Sequence, residues 1–315
     1  MLSMHAEVAD PPSWAAGHRE ELATLLLKHG AVLVRGLGLA DAAGLARLRD
    51  ALGYHAAPLA EQFAERQELA DGVYSAPHWP ADREQCLHHE GGYGVDFPRL
   101  LLMACLEPPD AGGMLLLGDT RQVLDQVPEP LRARFREQGW RLERNFRPHF
   151  GLPWTAAFGV QTPEQAEQVC AERLISWDWR PGGVLHVAQR RPAMLRHPVT
   201  GQACWFNDIA FFSQWSVDTA ERHVMLGAFG PDGLPFNTAF GGGEPLAEAD
   251  WTSLSDAYQA VLRRVAWHPG DLVLLDNVLC AHGREPYHGP LRLAVAPAET
   301  VSLASCAPAV SPSPG

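Results

Sequence analysis

Short apolar segments separated by turns rich in Gly and Pro recur between residues 99 and 298, and they constrain the fold more than any other feature of the chain. Five such segments are 99–106 (RLLLMACL), 114–118 (MLLLG), 184–189 (VLHVAQ), 272–282 (LVLLDNVLCAH) and 291–298 (LRLAVAPA). Short runs of apolar residues bounded by turns are typical of buried β-strands. Many short strands with helices inserted between them predict a mainly β fold, a sandwich or jelly roll (double-stranded β-helix).

Helical periodicity appears between these strands. Leucines recur at helical spacing over residues 17–29, and Gly30 is expected to end that helix. Further helices are predicted over 41–52, 120–138 and 253–264, and from Thr162, where Pro163 and Gln165 suit a capping box.

Residues 54–86 show little periodicity. A segment of this length without a clear pattern is often a lid or a binding segment, so we expect a mobile substrate lid here. No repeat or interdomain linker interrupts the chain. We therefore predict a single domain over residues 1–305 and a disordered tail over residues 306–315.

Composition excludes several classes of function. A formal charge of −12 argues against general binding of nucleic acid, whose phosphates require a basic face. The six cysteines are scattered without a close pair, which is typical of reduced thiols in a cytoplasmic protein. Neither a signal peptide nor an apolar run of about 18 residues is visible, so we expect no membrane span.

His88 and Glu90 are the first two candidate metal ligands. Residues i and i+2 of a strand face the same way, so these two side chains should project together while His89 points to the opposite side. An isolated H-x-E triplet is weak evidence in a chain with 14 histidines. With His282, at the end of segment 272–282, it provides two imidazoles and one carboxylate, the ligand set of mononuclear non-haem Fe(II) oxygenases. A lone histidine is otherwise more often a core residue.

Arg292 follows ten residues after His282. A loop of about six residues should return an antiparallel strand, which would place Arg292 beside the strand that carries His282. An arginine among apolar neighbours requires an anion, and a two-pronged guanidinium suits the far carboxylate of a dicarboxylate such as 2-oxoglutarate. Arg284 and His288 form an alternative pair that is more easily explained as loop surface chemistry.

The aromatic pair Trp205 and Phe206 is expected to belong to the core, and Asn207 is a candidate to line the pocket.

Four long segments in order resemble the taurine-dioxygenase-like superfamily of Fe(II)/2-oxoglutarate oxygenases. The branch most similar to the chain contains the syringomycin-pathway aspartyl hydroxylase, and it also resembles clavaminate synthase. The segments are 28–39 (KHGAVLVRGLGL), 87–113 (LHHEGGYGVDFPRLLLMACLEPPDAGG), 196–208 (RHPVTGQACWFND) and 268–296 (HPGDLVLLDNVLCAHGREPYHGPLRLAVA).

The resemblance implies that His88, Glu90 and His282 bind iron and that Arg292 binds the distal carboxylate of 2-oxoglutarate. It implies an enzyme that uses Fe(II), 2-oxoglutarate and O2 to hydroxylate an unactivated C–H bond. Glu90 argues against a halogenase, whose relatives replace this carboxylate with a small residue. At the level of the branch, the expected substrate is a small amino-acid-like molecule, free or tethered to a carrier protein, in specialised metabolism such as antibiotic biosynthesis.

Three departures from the family pattern bear on this interpretation. Leu115 stands where the family motif G-G-x-T places a threonine hydroxyl on the cosubstrate carboxylate. Ala296 replaces the arginine with which taurine-type members hold an anionic substrate, and residues 240–245 (FGGGEP) replace a GDG-like element. Leu115 supports an alternative function, that of an iron oxygenase or oxidase that does not use 2-oxoglutarate. A non-catalytic binding protein on the same fold is the other alternative.

Overall fold

A computed structural model describes residues 1–6 and 8–306 of the chain, and its helices and strands there are as follows. The α-helices are α1 (Pro11–Gly17), α2 (Arg19–His29), α3 (Ala42–Ala51), α4 (Thr120–Gln126), α5 (Glu129–Gln138), α6 (Trp154–Phe158), α7 (Pro163–Glu172), α8 (Thr219–Phe229) and α9 (Glu248–Val261). The first strands are β1 (Leu2–His5), β2 (Ala31–Arg35), β3 (Glu68–Ala70), β4 (Val73–Ser75), β5 (Gln85–His88), β6 (Asp96–Glu107), β7 (Ala111–Gly112), β8 (Leu115–Asp119), β9 (Trp140–Phe146) and β10 (Ser176–Arg180). The later strands are β11 (Val184–Arg191), β12 (Met194–Arg196), β13 (Ala203–Trp205), β14 (Phe236–Phe240), β15 (Arg263–Val265), β16 (Leu272–Asp276), β17 (Cys280–Arg284), β18 (Tyr287–His288) and β19 (Arg292–Ser302).

Two sheets form the jelly roll, which confirms the predicted mainly β class. The larger sheet has seven strands in the order β1-β2-β16-β6-β19-β4-β3, and the smaller has four in the order β15-β8-β17-β5. Side chains from both sheets meet in one buried cluster, where Met103 and Val273 of the larger sheet pack with Leu117 and Cys280 of the smaller. Their burial removes apolar surface from water and holds the sheets face to face.

The other face of the larger sheet is covered by the N-terminal helices. Leu22 and Leu26 of α2 and Leu45 of α3 share a buried cluster with Leu102 and Leu274 of the sheet. A second four-stranded sheet, β10-β11-β9-β14, extends beside the jelly roll. Its strand β9 contributes Trp140 to the cluster that also contains Tyr93 and Leu87, close to the ends of β5.

The local signals predicted the end of α2 and the capping box of α7 correctly, and the helix predicted over 41–52 corresponds to α3. Gly30 ends α2 in the left-handed conformation at φ 73°. Asp41 caps α3 by accepting a hydrogen bond from the Gly44 amide at 2.6 Å. Thr162 and Gln165 form the capping box of α7. The pattern missed α8. Arg222 is the only buried residue of this helix, and a helix that buries so little apolar surface shows no clear periodicity in its sequence.

The interpretation of residues 272–282 as one strand was wrong. β16 belongs to the larger sheet and β17 to the smaller, so the chain crosses between the sheets at residues 277–279. The Asp276 carboxylate accepts hydrogen bonds from the amides of Val278 and Leu279, both at 3.1 Å, which turns the chain at this point. The Asn277 side chain accepts from the Glu90 amide at 2.9 Å and donates to the Glu90 carbonyl at 2.9 Å.

Two further expectations are corrected by strand pairing. β19, which begins at Arg292, pairs with β6 and β4 and not with β17, because the connection returns the chain to the larger sheet. Residues 54–86 are not irregular throughout, since β3 and β4 form a hairpin at the edge of that sheet. Short three-residue strands leave too little periodicity to be found from the sequence.

Cys306 is 1% exposed and packs with Phe97 and Leu195, so placing it in a disordered tail was wrong. Residues 307–315, the rest of the predicted tail, lie outside the described residues. The single domain over residues 1–305 stays a prediction. In the described part of the chain, every helix is too short or too polar to span a bilayer.

Asn277→Ala is expected to lower the free energy of unfolding by about 3 kcal/mol, because it leaves buried partners at Glu90 and Pro98 without their hydrogen bonds. Urea denaturation followed by circular dichroism measures the loss. Gln168→Ala, on the exposed surface of α7, is the control and should change stability by less than about 0.5 kcal/mol. A loss at Asn277 no larger than that of the control would contradict this role.

Candidate metal centre

His88 and His282 face each other across two paired strands. They are register partners at the end of β5 and in the middle of β17, which are antiparallel neighbours in the smaller sheet. Their ring centroids are 4.5 Å apart with an interplanar angle of 42°. Directly opposite side chains on one face of a sheet are held at this separation by the backbone ladder, so the fold fixes the pair.

The hydrogen bonds of His88 leave one ring nitrogen free for another partner. Its Nδ1 lies 3.0 Å from the carbonyl oxygen of Cys86 and donates to it, which leaves the lone pair on Nε2. Burial lowers the pKa of His88, and burial together with the nearby His88 ring lowers the pKa of His282 well below its usual range. Both imidazoles are therefore neutral near pH 7, the form that binds metal ions.

Glu90 lies in the turn after β5 and lines the same cavity as the two imidazoles. Its Oε2 accepts a hydrogen bond from Nη2 of Arg66 at 2.6 Å. His89 is turned away, as the alternation of side chains predicts: its Nδ1 is 3.0 Å from the carbonyl oxygen of Asn207, and its amide donates to Asp208 at 2.7 Å.

The donor set has the chemistry that an Fe(II) site requires, two neutral imidazoles and one carboxylate around an open cavity. The Nδ1 atom of His282 is buried without a hydrogen-bond partner. Within residues 1–6 and 8–306, no three His, Cys, Asp or Glu side chains are already gathered closely enough to hold a metal ion. Binding by His88, Glu90 and His282 together therefore requires the three side chains to move closer to one another than they stand here.

The cavity extends from this histidine pair into the space between the sheets. Its volume is about 370 Å³, within the range of small-molecule sites. Apolar side chains from both sheets form its inner wall, namely Met103, Leu115, Trp267, Leu293 and Val295. Leu115 is 3% exposed, so an apolar side chain, and not a hydroxyl, faces the cavity at this position. Ala296 lies on the other face of β19, in the cluster under α2 and α3.

Arg292 lines the mouth of the cavity, but the expectation of a buried arginine was wrong. Its side chain is 69% exposed and pairs with Glu107 at 3.6 Å. The strand register is irregular between Arg292 and Leu293, and both residues line the cavity. An exposed pair of this kind contributes little stability, so the guanidinium is free to take another anion at small cost.

Arg284 was assigned to a surface loop, and this was also wrong. It is the last residue of β17, is 9% exposed and lines the cavity. Its guanidinium donates to the carbonyl oxygens of Glu285 at 2.9 Å and Pro80 at 3.1 Å and stacks on Tyr287. His288 is exposed, as a surface residue should be.

Asn207 does not line the cavity, which corrects its assignment as a cofactor-binding residue. Its side chain is fully buried, donates to the Ala193 carbonyl at 2.8 Å and accepts from the Ile209 amide at 3.1 Å. Both ends of the amide are thus satisfied by backbone. Trp205 and Phe206 are buried in the core, as predicted.

Several residues beside the histidine pair were not found from the sequence. Phe211 stacks on His88 with ring centroids 4.5 Å apart and an interplanar angle of 22°, and Phe63 meets His88 edge-on at 5.8 Å. Arg66 has a side chain only 3% exposed. The only local signal was that Phe63 and Arg66 fall within the segment expected to form a lid, which gave no reason to single them out.

Comparison with known proteins gives a family match over most of the chain. Residues 3–296 match the model of the taurine catabolism dioxygenase TauD, TfdA family. Dapdiamide synthesis protein DdaC of Enterobacter agglomerans is 28% identical over 272 residues, which cover 86% of this chain and 83% of DdaC. A clavaminate synthase-like protein of Arabidopsis thaliana is 25% identical over 288 residues, covering 86% of this chain and 82% of that protein.

Solved structures share the fold at low sequence identity. PvcB from Pseudomonas aeruginosa superimposes with a TM-score of 0.50 at 16% identity, covering 88% of this chain and 78% of PvcB. AAD-2, solved in complex with Mn(II) and N-oxalylglycine, gives a TM-score of 0.50 at 13% identity, covering 91% of this chain and 89% of AAD-2. These likenesses support the jelly-roll architecture.

Asn207→Ala should destabilise the fold by about 2 kcal/mol, because it leaves the buried carbonyl of Ala193 and the buried amide of Ile209 without these hydrogen bonds. The affinity for 2-oxoglutarate should stay within about twofold of the wild-type value, since the side chain does not reach the cavity. Thermal denaturation and equilibrium titration of the cosubstrate measure the two quantities. A large loss of cosubstrate affinity in a folded variant would restore Asn207 to the binding site.

Proposed function

Because the chain belongs to the taurine catabolism dioxygenase TauD, TfdA family, we propose that it hydroxylates an unactivated C–H bond of a small amino-acid-like substrate. In this proposal His88, Glu90 and His282 bind Fe(II), and Arg292 binds the distal carboxylate of 2-oxoglutarate. The observation that carries it is the pair of opposed, neutral imidazoles with Glu90 in the wall of the same cavity.

Membership of the family confirms three of the expectations drawn from the sequence. The resemblance itself is confirmed, as is an enzyme of the Fe(II)/2-oxoglutarate dioxygenase class. The jelly-roll fold is confirmed by the two sheets and by the solved structures that share it. The cofactors of that class are Fe(II), 2-oxoglutarate and O2. A non-catalytic binding protein is therefore the weakest of the alternatives.

Fe(II) with 2-oxoglutarate and O2 supplies the oxidising power that breaks a C–H bond, which no side chain of the protein can supply. The residues of the chain hold and orient the candidate metal ligands and shield them from water. His88 and His282 are held in register by the β-ladder, and Asn277 fixes the backbone of Glu90 through two hydrogen bonds. Phe211 stacks on the His88 ring and Phe63 meets it edge-on, so both help to shield this side chain from water.

The substrate class rests on the charge and size of the cavity. Three arginines, Arg66, Arg284 and Arg292, contribute to its wall, and a guanidinium binds carboxylates well. The cavity is of a size for small molecules, which supports an amino-acid-like substrate, either free or presented by a carrier protein. Similarity to a dapdiamide synthesis protein supports a role in specialised metabolism, including antibiotic biosynthesis, and six free cysteines support a cytoplasmic location.

His88→Ala, Glu90→Ala and His282→Ala should each weaken Fe(II) binding by at least about a hundredfold, because each removes one of three ligands. Anaerobic titration with Fe(II) measures the dissociation constant. His89→Gln is the matched control: this imidazole faces Asn207 and Asp208, so iron affinity should remain near the wild-type value. Full iron affinity in His282→Ala would overturn the assignment of the ligands.

Leu115 favours a second candidate, an iron oxygenase or oxidase that does not use 2-oxoglutarate, because it presents an apolar side chain to the cavity. The two candidates differ in the effect of Leu115→Thr. If 2-oxoglutarate binds beside this residue, a hydroxyl donor to its carboxylate is worth roughly 1.5–3 kcal/mol, or about one to two decades in the dissociation constant.

The measurement is titration of 2-oxoglutarate into the anaerobic Fe(II) protein, followed by the charge-transfer absorption of the chelate. We expect the band in the wild type and tighter binding in Leu115→Thr. Leu115→Val, which has nearly the shape of threonine but no hydroxyl, should bind as the wild type does. Absence of the band at millimolar 2-oxoglutarate in wild type and Leu115→Thr alike would favour the second candidate.

A further inference from the structure

Arg66 and Glu90 form a buried ion pair in the wall of the cavity. The Nη2 atom of Arg66 lies 2.6 Å from Oε2 of Glu90, and the two side chains are 3% and 9% exposed. Arg66 comes from the segment between α3 and β3, whereas Glu90 follows β5, so the pair also joins two separate parts of the chain. Shielding from water makes such a pair sensitive to any further charge placed beside it.

The guanidinium of Arg66 is incompletely satisfied. Its Nη1 atom is buried and has no hydrogen-bond partner. A buried donor without an acceptor carries a free-energy cost, and arginines lining cavities commonly meet that need by binding an anionic ligand. The other cavity arginine of comparable burial, Arg284, has no such need, because its donors reach backbone carbonyls.

We propose, on the basis of the proposed function, that Arg66 is a positioning residue that determines which carboxylate oxygen of Glu90 binds the metal ion. Because Arg66 donates to Oε2 and draws its electron density, Oε1 is the better metal donor of the two oxygens of Glu90. A carboxylate that binds through one oxygen leaves open a coordination position that a bidentate carboxylate would fill. Arg66 thereby keeps room at the metal for a chelating cosubstrate.

The charge of Arg66 has a second effect, which is opposite in sign for the affinity of the metal ion and for the affinity of 2-oxoglutarate. A guanidinium bonded to a metal-ligating carboxylate repels a divalent cation and attracts a dianion. Arg66 therefore lowers the affinity for the metal ion and raises the affinity for 2-oxoglutarate. A residue that served only to stabilise the fold would shift both affinities in the same direction when it was replaced.

Arg66→Met is the decisive variant, measured by anaerobic titration with Fe(II) and then with 2-oxoglutarate. We expect the Fe(II) dissociation constant to fall about tenfold and the 2-oxoglutarate dissociation constant to rise about tenfold, in line with the removal of one nearby charge in a partly shielded site. Arg66→Lys keeps the charge and one donor, so both constants should stay within about threefold of the wild-type values.

Arg83→Met is the matched control. Arg83 lies in the same part of the chain and pairs with Glu221, but its side chain is 51% exposed and it does not contact Glu90. Both affinities should be unchanged in this variant. If Arg66→Met does not fold, Arg66→Gln, a neutral residue that keeps an amide donor, is expected to shift the constants in the same opposite directions.

Two results would overturn the proposal: affinities for both ligands that weaken together in a folded Arg66 variant, or affinities that do not change. Failure of the proposed function looks different. In that case the wild-type protein itself would not bind Fe(II), or would not form the 2-oxoglutarate chelate, whatever residue stands at position 66.

Discussion

The site depends on the way the chain crosses from the larger sheet to the smaller at residues 277–279, directly after Asp276. Asp276 is fully buried, accepts the amides of Val278 and Leu279, and lies 3.0 Å from Nε2 of His197. This carboxylate therefore fixes the backbone of the crossing and also connects it to the turn after β12, where His197 lies. Without the crossing, β17 could not lie beside β5, and His282 would not stand opposite His88. A buried acid thus fixes the spacing of two residues far apart in sequence.

Asn277 extends the same constraint to the third donor. Its amide bonds both the backbone N–H and the carbonyl of Glu90, and it reaches the Pro98 carbonyl at 2.8 Å. The turn that carries Glu90 is therefore fixed by the residue that begins the crossing. Two consecutive residues, Asp276 and Asn277, connect all three candidate ligands. A change that destabilises the crossing would therefore also change the geometry of the site.

Local periodicity predicted what depends on neighbours in the sequence. The alternation that separates His88 and Glu90 from His89, the end of α2 at Gly30 and the capping box of α7 follow from a few adjacent residues. Pairing of strands depends on contacts across the whole chain. For this reason local periodicity predicts one strand over 272–282 and places Arg292 beside β17, and both predictions are wrong. Burial was also misjudged: Arg292 is exposed and Arg284 is buried, although both are arginines near apolar residues.

The charges of the cavity oppose those of the whole protein. The chain carries a formal charge of −12, yet Arg66, Arg284 and Arg292 contribute to the wall of one small cavity. Charges farther away than about 10 Å are screened at ordinary ionic strength, so the acidic exterior does little to an anion that has already entered. Inside the cavity the nearby guanidinium groups dominate, because electrostatic attraction falls with distance and Arg66 and Arg284 are shielded from water. Recognition of an anionic ligand must therefore arise at short range, from the placement of these arginines around the histidine pair. The same reasoning explains why net charge, which argues against general binding of nucleic acid, carries no information about a small dianion.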